Sequence, residues 1–244
     1  MNPRVVSAVV RRVLTQLRRD RRTLAMLLLL PCLLITLIWW MYLDAGPVFD
    51  RVGPALLAIN PFIIMFLVTS VTTLRERSSG TLERLLAMPM GKLDFLLGYA
   101  GAFALVAVVQ SVLAVALSVV LLDLDVLGPV WLLSLVAVVD AVLGTALGLL
   151  VSAFARTEFQ AVQFMPALVI PQILLCGLLV PRDDLPGVLG AISDALPLSY
   201  AVDAMTHLTV STATTEVWGD LAIVVGFVLA GLALGAATLR RRTA

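Results

Sequence analysis

"LAMLLLLPCLLITLIWWMYL", Leu24 to Leu43, is twenty consecutive residues without a charge. An α-helix rises 1.5 Å per residue and the hydrocarbon core of a bilayer is roughly 30 Å thick, so about 20 apolar residues cross it once. The stretch therefore reads as a transmembrane helix. The rest of the chain agrees: of 244 residues, 61% are hydrophobic and 14% charged, with a mean hydropathy of +1.05, whereas a soluble domain is about one quarter charged. Five further apolar runs of spanning length lie near 55–74, 95–122, 130–154, 161–180 and 219–239. They are continuous rather than alternating, which excludes barrel strands. The sequence predicts an all-α integral membrane protein of six spans forming a single domain over residues 1–244, the third span being long enough to tilt or to begin in the interface. The first run is expected to be retained, because its apolar core and basic leader are too long for a signal peptide and no A-x-A site follows.

Net charge is +1, so meaning lies in the placement of charge rather than its sum, and nucleic acid is not an expected partner. Basic residues stay cytoplasmic. Arg4, Arg11, Arg12, Arg18, Arg19, Arg21 and Arg22 precede the first span; Arg75, Arg77, Arg84 and Lys92 follow the second; Arg156 follows the fourth; Arg240, Arg241 and Arg242 close the chain. All fall on one side of a six-span layout. The other side holds Arg51 and Arg182 among Asp44, Asp50, Asp123, Asp125, Asp183, Asp184, Asp194, Asp203, Glu216 and Asp220. Both termini are expected in the cytoplasm of a cell whose plasma membrane the chain crosses; arginine-rich, lysine-poor usage is consistent with a GC-rich bacterium. Cys32 and Cys176 sit in apolar runs and suggest neither metal spacing nor a disulfide framework.

The leader, residues 4–22, reads as an interfacial helix with Val6, Val9, Val13 and Leu17 on one stripe and Arg4, Arg11, Arg18 and Arg22 opposite. It is either a working surface helix or simply a positive-inside anchor. The charged island after the second span holds a short helix over 80–89: Gly80 caps it, Pro89 ends it, and Leu82, Leu85 and Leu86 share a face. Two turns are too short to persist in water, so this helix must pack on something. It is either a cytoplasmic docking element or an interfacial loop joining two spans.

"RERSSGTLERLLAMP", Arg75 to Pro89, resembles the sequence after the second span of type 2 ABC export permeases, where R-E-R-x-x-G-T-L-E-x-L-x-x-x-P is the usual form. "GLLVPRDDLPGVLGAISDALPLSYAVDAMTHL", Gly177 to Leu208, resembles the stretch between their fifth and sixth spans. The resemblance implies that the leader is an elbow helix and that 80–89 is a coupling helix seated on a separate ATPase subunit. It also implies that Arg75, Glu76, Arg77, Thr81, Leu82, Glu83, Arg84, Leu85 and Leu86 carry the coupling. Two ATPase copies, holding ATP and Mg²⁺, and a second permease copy, identical or paralogous, would complete the machine. Its cargo would be a drug, a lipid or a lipid-linked glycan, moved outward by alternating access.

The chain offers no motor of its own. A phosphate loop needs G-x-x-x-x-G-K-[ST], and the only lysine, Lys92, follows Gly91 without the earlier glycine or the hydroxyl residue. The single histidine, His207, lies on the outer side, so no catalytic triad and no cofactor or metal site is expected. Polar residues at membrane depth are costly and either pair or line a path. Asn60, Gln110, Ser111, Asp140, Gln163 and Gln172 are the candidates for the cargo path. Asp140 either attracts a cationic amphiphile, steadies a neighbouring helix, or serves an ion-gradient-driven transporter as its cation site. Short outer helices over 186–209 are expected to dip into the outer leaflet as a lid above the cavity.

Overall fold

The structure is a computed structural model and describes residues 2–44, 48–78, 91–155 and 157–238. Nine α-helices follow one another among the described residues: α1 (Pro3–Arg19), α2 (Arg21–Met41), α3 (Val48–Ser78), α4 (Lys92–Val120), α5 (Val130–Ser152), α6 (Glu158–Leu175), α7 (Gly187–Asp194), α8 (Pro197–Val210) and α9 (Thr215–Thr238). Six of them, α2 to α6 and α9, are long and apolar enough to cross a membrane, as the apolar runs predict. The expected short helix at 80–89 lies outside the described residues.

Local sequence sets the ends. Asn2 caps α1 by accepting from Arg4 N–H at 3.1 Å, with Pro3 in the first turn where its missing donor costs nothing. Asp20 caps α2 through Thr23 N–H, and Thr157 caps α6 through Gln160 N–H. The fifth apolar run was expected to span to residue 180, yet α6 stops at Leu175. Gly177 has φ +95 there, a left-handed turn that only glycine adopts cheaply, and it redirects the chain toward α7.

The bundle is organised around α3 and α5. A Cβ added to Gly144 would strike the carbonyl oxygen of Phe62, and one added to Gly148 the carbonyl oxygen of Phe66. Both residue numbers rise together, so the two helices run parallel, backbone against backbone. Small residues permit that approach, which gains dispersion contacts where lipid offers no hydrophobic drive. Gly231 of α9 rests on Ala146 from the other side. The small-residue faces of Gly144, Gly148 and Gly231 are thus consumed inside one chain.

Helix α4 runs antiparallel to α5, with the Ser111 hydroxyl donating to the Ala137 carbonyl at 3.1 Å. Helix α1 lies along the opening turns of α4: Val9 meets Gly98 and Val10 approaches Gly101. Its apolar stripe is therefore buried against protein, Val9 and Val13 most fully, beside an aromatic ladder in which Phe95 and Tyr99 have ring centroids 4.4 Å apart. Trp131 and Trp218 meet at 6.3 Å at the opposite end, the end that carries the aspartates. Together with Trp39 and Trp40 they place all four tryptophans of the chain away from the arginine cluster, as an interfacial belt does.

Candidate functional site

At the basic end, α3 finishes in Arg75 and Glu76, which point about 100° apart because they are neighbours on a helix. Each reaches a different helix. Arg75 forms a two-pronged pair with Glu158 of α6, Nε to Oε1 and Nη2 to Oε2 both at 2.9 Å. Glu76 accepts from Arg12 Nη2 of α1 at 3.0 Å and from Gln16 Nε2 at 3.3 Å. Burial separates the two ties. The Arg75 and Glu158 side chains are 64% and 49% exposed, against 29% and 13% for Arg12 and Glu76. An exposed pair contributes about 0–1 kcal/mol, so the Arg12–Glu76 pair is the firmer one.

The start of α4 is tied to the same helix. Asp94 accepts from Gly91 N–H at 3.1 Å, and its other oxygen accepts from Asn2 N–H at 3.0 Å. Helix α1 therefore ties the last turn of α3, through Glu76, to the first turn of α4, through Asp94. Arg75 and Glu76, expected to offer charge to a partner, are bonded within the chain. Thr81, Leu82, Glu83, Arg84, Leu85 and Leu86 lie outside the described residues, as does the side chain of Arg77. Asn2, Arg12, Gln16, Asp94 and Glu158 were not foreseen, because ion pairs between residues 64 and 83 positions apart leave no periodic trace; only the position of Asp94 three residues after Gly91 hinted at a cap.

Beside these ties a cavity of about 440 Å³ opens among α1, α2, α3, α4 and α6, with apolar walls that include Leu17, Val68, Val71, Phe103 and Val162 and a polar rim of Asp20, Thr23, Thr72, Arg75 and Glu76.

The six polar residues expected along the cargo path separate into groups. Asp140 and Gln110 are fully buried, and neither the Asp140 carboxylate oxygens nor the Gln110 amide atoms find a hydrogen-bond partner among the described residues. Ser111 is bonded to α5, as above. Asn60 is nearly buried with its amide nitrogen unpartnered. Gln172 bridges α6 to α8, donating to Leu168 O at 3.0 Å and accepting from Leu198 N–H at 3.4 Å. Gln163 stands exposed on α6. Five of the six thus lie between helices of one chain, and Gln163 alone faces outward.

At the acidic end, α8 is sunk into the core, with Leu198, Ala201, Ala204, Met205 and Leu208 fully buried, while α7 exposes Val188, Leu189 and Ile192. Only α7 has the lid-like exposure expected for both; α8 is a structural element. Arg182 binds the pair together. Its guanidinium contacts Asp194 at 2.6 Å, pairs with Asp203 and lies 4.9 Å over the Tyr200 ring. Burial holds the Asp203 carboxyl above its usual range, with Arg182 pulling the other way. Ser193 donates to Leu175 O at 2.8 Å, which closes the corner.

A family model described as ABC-2 type transporter matches residues 4–209. The chain is 28% identical over 171 residues to the probable multidrug ABC transporter permease YbhR of Escherichia coli strain K12, covering 70% of this chain and 46% of that one. It is 26% identical over 156 residues to the probable multidrug ABC transporter permease YbhS of the same strain, covering 64% and 41%. ABC transporter G family member 20 of Dictyostelium discoideum is 24% identical over 183 residues, covering 74% and 25%. The chain thus spans less than half the length of the curated relatives it matches.

Proposed function

The chain belongs to the ABC-2 type transporter family, and from that premise we propose that it is the transmembrane permease subunit of an ATP-binding-cassette exporter, moving a hydrophobic or amphipathic cargo outward. The arginine-rich end faces the cytoplasm of a bacterial cell, by the positive-inside rule, with both termini inside. Two ATPase subunits, which hold ATP and Mg²⁺, seat beneath residues 80–89 of two permease copies, and nucleotide binding drives the bundle from an inward-open to an outward-open state.

The observation that carries this reading is that α1 is bonded both to the end of α3 and to the start of α4, the two described helices that flank residues 79–90. Force applied at residues 79–90 enters α3 and α4 along the chain, passes to α1 through Glu76 and Asp94, and reaches α6 through the Arg75–Glu158 pair. The motif residues thus divide the labour. Leu82, Glu83, Arg84, Leu85 and Leu86 contact the ATPase, with Thr81 and Arg77 beside them, while Arg75 and Glu76 pass the movement into the bundle. Replacing Leu85 by Asp is expected to leave membrane insertion intact and to abolish co-purification with the partner ATPase subunit. A Leu85→Asp complex that purifies whole with full ATPase activity overturns the assignment.

The buried Asp140 favours a second reading, an ion-gradient-driven transporter. A carboxyl group buried without a partner costs several kcal/mol, and a well-packed apolar residue in its place removes that cost. Asp140→Leu should therefore raise the thermal unfolding midpoint by several degrees. In the exporter reading the variant still transports with ATP, with cargo selectivity altered where Asp140, Gln110, Ser111, Asn60, Gln163 and Gln172 line the opened path. In the ion-driven reading, transport needs no ATP and is lost in the same variant.

A further inference from the structure

The corner between α1 and α2 gathers Arg18, Arg19, Arg21 and Arg22 within five residues. Three of them, with Thr15, line an open cavity of about 430 Å³. None of the four forms an ion pair among the described residues. The one acid in the corner is committed elsewhere: Asp20 accepts from Thr23 N–H at 3.1 Å and from the Thr23 hydroxyl at 2.6 Å. Those bonds keep the Asp20 carboxyl below its ordinary range, so it stays a helix cap across the working pH. Four guanidinium groups around one carboxylate leave the corner with a net positive charge, and their forked N–H donors match the oxygens of a phosphate.

The level of the cavity and the surface below it say which phosphate. The apolar run of α2 starts at Leu24, so Arg21 stands at the boundary between headgroup and hydrocarbon. Ala25, Leu29 and Leu33 follow Arg21 at intervals of four on the same helix face, and all are exposed. A free anion would use the guanidinium groups and ignore this stripe, whereas a diacyl lipid uses both.

We propose that the α1–α2 corner is a binding site for an anionic phospholipid, its phosphodiester held by Arg18, Arg19 and Arg21 and its chains laid along the Ala25–Leu29–Leu33 face of α2. The site requires that α2 span a bilayer, and it stands whether or not an ATPase drives the bundle. It also lies at the corner where α1 ends, so the lipid would order the same helix that Glu76 and Asp94 hold.

The test uses the full chain purified in detergent. Phosphatidylglycerol or phosphatidylcholine with the same acyl chains is added, and bound lipid is counted by native mass spectrometry. Phosphatidylglycerol should be retained at least about 25-fold over phosphatidylcholine. Arg18→Gln with Arg21→Gln should lower that preference by roughly fivefold per arginine. Arg4→Gln with Arg11→Gln, which removes equal charge from exposed positions of α1 two or more turns away from the corner, should leave it unchanged. Should the first double variant fail to fold, Arg21→Gln alone carries the comparison. Equal retention of the two lipids overturns the proposal, as does an equal loss in both double variants, which marks diffuse surface charge. Complete displacement of phosphatidylglycerol by millimolar inorganic phosphate assigns the corner to free anions and overturns it too.

Discussion

Gly144→Leu is expected to yield no folded protein. The new Cβ would lie against the carbonyl oxygen of Phe62, a backbone atom that cannot swing aside as a side chain can. Relief requires α3 and α5 to separate along their length, and one turn on, Gly148 meets the carbonyl of Phe66 in the same way. Overpacking usually costs about 1–3 kcal/mol when side chains yield; where backbone must move, a loss above about 4 kcal/mol is the fair expectation, set against a total stability of roughly 5–15 kcal/mol. Fluorescence-detected size exclusion of a tagged variant should show aggregate in place of a single peak. Gly226→Leu on α9 is the control, because a Cβ there meets nothing within 4 Å, and it should elute like the parent chain. A monodisperse, heat-stable Gly144→Leu protein would remove α3 and α5 from the centre of the fold.

That centre was half legible in the sequence. The spans could be read because twenty continuous apolar residues have few other fates, and Gly144 and Gly148, four apart, announce a close helix contact. Which helix they meet is not written in their spacing. The outer segment shows a different limit. Both 187–194 and 197–210 carry apolar stripes, so both looked like lid helices, yet α8 is buried on nearly every side and α7 is not. The distinguishing signal lies in Arg182, a basic residue on the acidic side whose three partners, Asp194, Tyr200 and Asp203, are recognisable only once folded.

The inner end was the least legible. "RERSSGTLERLLAMP" marks Arg75 and Glu76 as charged neighbours of a short helix, and charge beside a docking helix reads naturally as charge for the partner. The fold spends both internally. Sequence spacing says nothing of Arg12, 64 residues away, or of Glu158, 83 residues away. The polar residues in the spans behave likewise: Gln172 turns out to be a bridge between α6 and α8, while Asp140 and Gln110 remain buried without partners, states a hydropathy pattern cannot tell apart.

The Arg12–Glu76 tie gives the second large effect, and its sign separates transmission from mere packing. Glu76→Arg sets two guanidinium groups against each other in a site where the Glu76 side chain is only 13% exposed, and it leaves Gln16 without its acceptor. Truncating one member of a well-buried pair costs about 3–5 kcal/mol, and this partly buried one correspondingly less, so the bundle still folds. If α1 carries movement between the 79–90 segment and α4, the variant should assemble with its ATPase and hydrolyse ATP near the basal rate. Cargo-stimulated hydrolysis and transport should each fall by about tenfold or more, which corresponds to a coupling free energy of roughly 1.4 kcal/mol. Arg12→Glu added to Glu76→Arg restores opposite charges in reversed order and should recover most of the stimulation, while Arg12→Glu alone should resemble Glu76→Arg. The Arg75–Glu158 pair, being exposed on both sides, should lose only a few tenths of that effect on the same reversal. Rescue by the double reversal is the outcome a structural role would not produce in the stimulated rate alone. Full stimulation in both single reversals, with unfolding midpoints unchanged, would detach α1 from the coupling route and leave the 79–90 segment acting on α3 and α4 directly.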